Sequence, residues 1–254
     1  MACINSLDIL IYILLELPYI FEQNCYIVRS CLLSSNHTDL LEYNAEEQTV
    51  HDMKKVLILF AHPRYEKSRV NKALLSGIQG LEGITVHDLY DQYPDFNIDT
   101  AREQELLRAH QIIVWHYPLF MYGPPAMIKQ WMDLVLEHGW AHGVGGNNLE
   151  GKQVFATITT GGTHGSYSHS GFNCYTMPEL LYPLTQAAHI CRMTWLPPFV
   201  VQGTYRLTDD MLEWYGNQYR QLLLQLTQAP SLAAIKGYDF LNDWIADVNR
   251  KEQP

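Results

Sequence analysis

Basic residues and cysteines are both scarce in this 254-residue chain. It has 17 Lys and Arg residues against 27 Asp and Glu residues, for a formal net charge of −10. A protein that binds nucleic acid through the phosphates needs a basic surface, so this balance argues against a nucleic-acid partner. The five cysteines are odd in number and include no CxxC spacing, which favours a reducing, cytoplasmic compartment over a disulfide framework or a zinc site.

The N-terminal part of the sequence lacks the pattern of a signal peptide or a membrane span. Residues 9–15 are apolar, but this run is too short to cross a bilayer, and no Lys or Arg precedes it. We therefore expect residues 1–52 to be an extension, either disordered or the product of an upstream start site, with a packed N-terminal helix over 7–21 as the alternative. Residues 53–227 are predicted to form the main domain, and residues 228–254 a C-terminal tail.

Apolar runs and helical periodicities alternate from Met53 onwards. Continuous apolar runs predict strands that are covered on both faces, and amphipathic spacing predicts helices between them. The predicted strands are 56–61, 84–89, 112–116, 154–158 and 195–201. The first predicted helix is capped by Ser68, and others are predicted over 100–109, 126–138 and 208–226. A helix over 177–192 is predicted to be interrupted or kinked near Pro183, and residues 231–254 to form a short helical or frayed segment.

This alternation predicts an α/β protein with a five-stranded parallel sheet of order 2-1-3-4-5 between two helical layers. Thr100 and Glu103 have the spacing of a capping box at the start of the second helix. Ligands of such sheets bind outside the carboxyl ends of the strands. We therefore expect the loops after strands 1, 3 and 4 to form a common site.

The loop after strand 1, HPRYEKSRVN at 62–71, leads into a helix. The N-terminus of a helix offers free N–H groups and a positive dipole end, so it can bind a phosphate. The loop contains no glycine, which excludes a Walker A loop and a GxGxxG turn. Ser68 either contributes a hydroxyl to such a site or simply caps the helix.

The other two loops are rich in aromatic residues and in glycine. YPLFMYGPP at 117–125 contains Phe120 and Tyr122, which could stack on a planar ring or pack against their own helix. TITTGGTHGSYSHSG at 157–171 ends a strand with little side-chain bulk, so its backbone N–H groups can approach a ligand closely. A plain glycine turn is the alternative for this segment.

Five motifs follow one another along the chain: HPxxxxSxxN at 62–71, YPDFNID at 93–99, HYPLFMYGPPAMIKQWMD at 116–133, HGWAHGVGGNNLEGK at 138–152 and ITTGG at 158–162. Together they resemble the flavodoxin-like NAD(P)H quinone oxidoreductases, and most of all the Kef-type ancillary proteins of glutathione-regulated potassium-efflux systems. The resemblance implies a flavodoxin-like three-layer sandwich. It also implies bound FMN, or FAD as in larger relatives, that carries hydride from NAD(P)H to a quinone in a ping-pong order.

The resemblance further assigns roles to individual residues. The implied cofactor contacts are His62, Ser68, Arg69, Val70 and Asn71 at the phosphate and ribityl chain, Leu119, Phe120, Met121 and Tyr122 at the ring, and Thr159, Thr160, Gly161 and Gly162 at the ring edge with N1 and O2. Tyr167 would balance charge on the reduced flavin. The family's partner histidine falls at Asn173, so His164 or His169 would have to replace it.

The resemblance implies a homodimer and admits a second role. The chain would then be a regulatory subunit that docks on a membrane potassium-efflux transporter, with flavin as a structural or sensing element. Reduction of azo or nitro compounds is a third alternative. We predict no metal site: His138 and His142 lie four residues apart, but Gly139 is predicted to end the helix and no carboxylate motif completes a ligand set.

Overall fold

The computed structural model describes residues 53–252, and the predicted N-terminal extension, residues 1–52, lies outside them. The strands are β1 (Val56–Phe60), β2 (Ile84–Asp88), β3 (Ile112–Pro118), β4 (Gln153–Thr159), β5 (Thr194–Trp195) and β6 (Phe199–Val201). The helices are α1 (Arg69–Gly77), α2 (Leu89–Gln92), α3 (Thr100–Ala109), α4 (Ala126–Val135), α5 (Met177–Leu180), α6 (Tyr182–Ile190), α7 (Asp209–Thr227), α8 (Leu232–Ile235) and α9 (Leu241–Glu252).

The strands form one parallel sheet of order β2-β1-β3-β4-β5, and β6 also pairs with β4. The predicted order and the parallel pairing are therefore confirmed. The predicted fifth strand is divided into two pieces at Pro197 and Pro198, because proline lacks the N–H that a ladder requires. β5 pairs with the start of β4, and β6 pairs with its end.

The two faces of the sheet bury separate apolar cores, which gives the predicted three layers. One core includes Leu107 of α3, Trp131 of α4 and Leu184 of α6. The other includes Leu74 of α1 and Leu222 of α7. All residues of β1, β3 and β4 are buried, because strands that are covered on both faces leave no side to solvent.

Helix α3 begins with a different cap from the predicted one. The Asp99 carboxylate accepts the N–H of the third helical residue, so Thr100 is the first residue of the helix and not its cap. Glu103 takes no part in a capping box. It is fully buried and accepts hydrogen bonds from His87 Nε2 at 2.8 Å, Tyr93 Oη at 2.6 Å and Trp131 Nε1 at 2.8 Å. Burial opposes ionisation of Glu103, but these bonds outweigh it and lower its pKa.

Helix α4 ends at Val135, before the predicted end at residue 138. The side-chain amide of Gln104, on α3, donates to the carbonyl of Val135 at 3.2 Å and so satisfies one acceptor of the helix end. Of the interruption or kink predicted near Pro183, the structure shows the interruption: α5 and α6 are separated at Leu181, and Pro183 lies in the first turn of α6.

The segment predicted to be short helical or frayed forms α8 and α9. Helix α9 buries Leu241 and Trp244 in the second core. The Asn242 side chain accepts the N–H of Val200 at 2.8 Å and donates to the carbonyl of Val200 at 3.1 Å. The Asn242 amide therefore pairs with the N–H and the carbonyl of Val200, as the backbone of an adjacent strand would at the edge of a sheet. No helix within residues 53–252 is both long enough and apolar enough to span a membrane.

Candidate functional site

The loops that follow β1, β3 and β4 meet at the carboxyl edge of the sheet, as the parallel topology predicts. The register sets Phe60 beside His116 and Pro118 beside Thr159, so the three strands end side by side. The loops enclose an open cleft of about 450 Å³. The predicted residues that line it are His62, Ser68, Arg69, Val70, Leu119, Phe120, Thr159, Thr160 and Gly161.

The N-terminus of α1 forms one wall of the cleft. Ser68 caps this helix, because its Oγ accepts the N–H of Asn71 at 3.3 Å. The first turn of a helix has N–H groups without intrahelical acceptors, and Arg69 and Val70 supply such groups at the cleft. Ser68 thus caps the helix and also lines the cleft; the cap is confirmed, and the contribution of its hydroxyl to a ligand site stays a prediction.

Two cations that were not predicted as site residues line the same wall. Arg64 and Lys67 border the cleft, and neither forms a salt bridge within the part of the chain that the structure describes. Arg69, by contrast, bonds to Asp209 at 2.6 Å. Unpaired cations beside a helix N-terminus favour an anionic ligand. Their position within the 62–71 stretch is the signal that could have identified them.

Asn71 lies behind the cleft wall and does not line the cleft. Its amide donates to Ser68 Oγ at 2.9 Å and to Thr159 Oγ1 at 3.1 Å, and its Oδ1 accepts from His116 Nε2 at 2.9 Å. Complete burial lowers the pKa of His116 to about 3, so its ring is neutral. Asn71 therefore ties α1 to the ends of β3 and β4 and fixes the spacing of the cleft walls.

Two glycines follow β4 where other groups approach the backbone closely. A Cβ at Gly161 would lie 2.5 Å from the ring of Tyr205, and one at Gly162 would lie 2.8 Å from the ring of Tyr167. The N–H of Thr160 is already bonded to a carbonyl of β6 at 2.9 Å. The N–H groups of Gly161 and Gly162 have no acceptor among residues 53–252, so these two remain available to a ligand.

The loop after β3 makes a tight turn. Phe120 and Gly123 pair through both backbone groups at 3.1 Å. Met121 and Tyr122 between them have φ of 46° and 67°, in the left-handed region that side chains disfavour. Asn-Gly is the usual sequence of such a turn, and backbone strain of this kind concentrates at functional sites. The turn leaves Met121 91% exposed beside the cleft.

Tyr167 lines a second cavity, of about 350 Å³, together with Met121 and Tyr122. The Tyr167 hydroxyl bonds to Thr160 Oγ1 at 2.5 Å. Asn173, at the position of the family's histidine, also lines this cavity and accepts from the Tyr122 hydroxyl at 3.2 Å. The second cavity therefore joins the aromatic turn to the glycine loop.

The side chains of His164 and His169, the predicted substitutes for that histidine, bond to other residues and not to Tyr167. His164 Nδ1 lies 3.1 Å from Gln202 Oε1. His169 Nε2 lies 2.9 Å from the carboxylate of Glu179. Neither lines the cleft or the second cavity, so Thr160 is the polar partner that the structure provides for Tyr167.

A fourth loop also contributes to the cleft and was not predicted. Thr204 and Tyr205 line it from the segment after β6. β6 runs parallel to β4, so its carboxyl end lies at the same edge of the sheet. Extending the edge rule to the fifth predicted strand would have identified this loop.

Residues 54–223 match the sequence model of a family described by its flavodoxin-like fold. This chain belongs to the flavodoxin-like family. The match includes β1 to β6 and all four loops at the cleft, so the resemblance drawn from the motifs is confirmed at the level of the family.

Named relatives agree with this assignment. The chain is 46% identical over 169 residues to the glutathione-regulated potassium-efflux system ancillary protein KefG of Yersinia enterocolitica, which covers 66% of this chain and 92% of that protein. General stress protein 14 of Treponema denticola, solved in complex with FMN, is 33% identical with a TM-score of 0.65, over 68% of this chain and 99% of that one. An NADPH-quinone reductase of P. pentosaceus is 28% identical with a TM-score of 0.61, over 66% of this chain and 96% of that one.

Proposed function

We propose that the chain is an FMN-dependent NAD(P)H:quinone oxidoreductase. The observation that carries the proposal is the meeting of the three predicted loops in one cleft, with the N-terminus of α1 and Gly161, whose amide is free, in its walls. Gly162, whose amide is also free, lines the adjoining second cavity. Two similar proteins support it, one solved with FMN and one named as an NADPH-quinone reductase. We propose FMN in preference to FAD because the structure of general stress protein 14 contains FMN.

The residues present fit FMN. The N-terminus of α1, with Ser68, Arg64 and Lys67, suits a phosphate. The amides of Gly161 and Gly162 lack acceptors and suit the polar edge of the ring system. When bound, FMN would accept a hydride from NAD(P)H and deliver it to a quinone.

The chain's own groups would handle charge and protons in the overall reaction, in which NAD(P)H, a proton and a quinone yield NAD(P)⁺ and a hydroquinone. The amides of Gly161 and Gly162 would stabilise negative charge at the ring edge. Tyr167 would hold a proton at its hydroxyl, shared with Thr160 Oγ1, beside the second cavity. NAD(P)H and the quinone would occupy that cavity in turn, which makes the order ping-pong.

A regulatory role is the second candidate, and the similarity to KefG favours it. The KefG relative is named as an ancillary protein of a potassium-efflux system. The chain would dock on such a transporter at the inner face of a membrane, with flavin as a structural or sensing element. This role is compatible with the oxidoreductase activity, and a homodimer would serve either.

Purification of the full chain tests the first proposal. We expect a yellow protein whose released cofactor has the mass of FMN, and NAD(P)H oxidation that depends on added quinone. A colourless protein that neither FMN nor FAD reconstitutes would overturn the enzymatic proposal.

Co-purification with a potassium-efflux transporter in detergent tests the second proposal, with a KefG protein as the positive control. Failure to bind under conditions in which KefG binds would exclude the regulatory role. Light scattering of the purified chain tests the homodimer, and a monomer mass would contradict it.

A further inference from the structure

An apolar groove of about 540 Å³ lies beside the candidate site, between the turn at 120–123 and helices α4, α5 and α6. We name it the α4–α6 groove. Its apolar walls include Met132, Leu136, Leu184, Ala187 and Ile190. Its two charged residues, Lys129 and Asp133, bond to each other, so the groove offers little free charge to a ligand.

Tyr117, on β3, contributes an unsatisfied polar group to this groove. The residue lines the groove and is fully buried, and its hydroxyl has no hydrogen-bond partner within residues 53–252. Burial raises the pKa of Tyr117, so the hydroxyl stays protonated and can donate. Buried hydroxyls in native proteins are nearly always bonded, so this one calls for a partner that the described residues do not supply.

The groove is continuous with the candidate site. Leu119 and Tyr122 line both the α4–α6 groove and the second cavity, in which Tyr167 lies. Leu119 also lines the cleft. A ligand in the second cavity can therefore extend past these two side chains into the groove.

We propose that the α4–α6 groove binds the apolar chain of a lipophilic quinone, with an oxygen substituent of the quinone accepting a hydrogen bond from Tyr117. The inference rests on the proposed function and names the substrate class: quinones that carry an alkyl or prenyl chain. The hydrophobic groove suits the alkyl or prenyl chain of the quinone, and the unpaired hydroxyl of Tyr117 suits one oxygen near the quinone ring.

The experiment compares a dimethoxy-methyl-benzoquinone with and without a decyl chain as the acceptor for the holoenzyme, with NAD(P)H in excess. Burial of several methylenes should raise kcat/KM for the decyl quinone at least roughly tenfold over the chainless ring. Ala187→Phe, which fills the groove, should remove this preference. Gln186→Phe, on the same helix but outside the groove, should retain it.

Two further variants guard against a folding defect. Ile190→Asn changes a half-exposed groove wall and should also reduce the preference for the decyl quinone. Tyr117→Phe should raise KM for both quinones severalfold with little change in kcat, because both carry the oxygen substituents. Equal kcat/KM for the two quinones in the wild type, or an undiminished preference in both Ala187→Phe and Ile190→Asn, would overturn the proposal.

The same variants distinguish failure of the groove proposal from failure of the proposed oxidoreductase function. If neither quinone is reduced, the proposed function fails, and titration calorimetry with the decyl quinone then decides the groove: equal affinity for wild type and Ala187→Phe overturns it. If light scattering shows that Ala187→Phe converts a dimer into a monomer, the groove is occupied by a second copy of the chain and the proposal is likewise overturned.

Discussion

A single side chain, Asn71, connects the core of the protein to its cleft. Its amide and carbonyl groups are all engaged, by Ser68, Thr159 and His116. His116 in turn lies 3.4 Å from the hydroxyl of Tyr219, which can donate to Nδ1. The motif predicted Asn71 as a cofactor contact, but only tertiary packing reveals that it acts from behind the wall.

We predict that His116→Gln makes the fold less sensitive to acid. The pKa of His116 is about 3 in the folded protein against 6.5 in the unfolded chain. The unfolded state therefore binds more protons in this interval, and stability falls as pH drops from the unfolded pKa towards the folded one. From about pH 7 to pH 5, this group costs the wild type about 2 kcal/mol of unfolding free energy.

Urea unfolding at the two pH values measures this effect. Gln can still donate to Asn71, so the variant should fold and should lose less stability at the lower pH. The same loss in both proteins would refute the assignment of a buried neutral His116.

Gly162 provides a second test at this scale. Gly162→Ala should weaken FMN binding at least roughly tenfold, because the new Cβ would lie 2.8 Å from the ring of Tyr167 and displace either the loop or the tyrosine. Gly165→Ala is the matched control, since a Cβ there meets nothing within 4 Å. Fluorescence titration with FMN gives both affinities, and indistinguishable values would contradict the role of the loop.

At the scale of elements, the strands were more predictable than the ends of the helices. Strands such as β1 and β3, covered on both faces, appear in the sequence as unbroken apolar runs. The start of α3 and the end of α4 depend on Asp99 and Gln104 instead. Gln104 lies on α3 and bonds to the carbonyl of Val135 at the end of α4, so the sequence of α4 itself could not predict this contact.

Helix α9 and strand β6 depend on one another through Asn242. Asn242→Ala removes two hydrogen bonds to Val200 and should lower the free energy of unfolding by about 1–3 kcal/mol. Asn249→Ala, on the same helix, removes only a bond to the side chain of Gln218 and should cost much less. Urea unfolding compares the two, and equal losses would show that Asn242 does not hold the edge of β6.

For the molecule as a whole, the position of the site was predictable because parallel strands bring their carboxyl ends to one edge. Phe60, Pro118 and Thr159 mark that edge, as expected. Tyr205 was missed because the edge rule was applied to the loops after strands 1, 3 and 4 and not to the loop after the fifth predicted strand. The α4–α6 groove was missed because it depends on how α6 packs beside α4, which no motif specifies.

Cofactor binding should stabilise the whole fold. At a free FMN concentration of about a hundred times Kd, the gain is about 2.7 kcal/mol, which corresponds to a rise in Tm of roughly 5–10 °C for a domain of this size. Riboflavin lacks the phosphate that α1, Arg64 and Lys67 are expected to hold, so it should give a smaller rise at the same concentration. Thermal melts followed by circular dichroism compare the two, and equal shifts would exclude a phosphate site at α1.

The pairing of Asn242 with Val200 also has a consequence for translation. The two residues are 42 positions apart, and ribosomes add roughly 5–20 residues per second. Strand β6 is therefore synthesised roughly 2–8 seconds before Asn242, which bonds to its backbone. During that interval a nascent chain can recruit strands from its neighbours on the same messenger RNA. Slow codons between these two positions would prolong the wait and reduce the yield of folded protein.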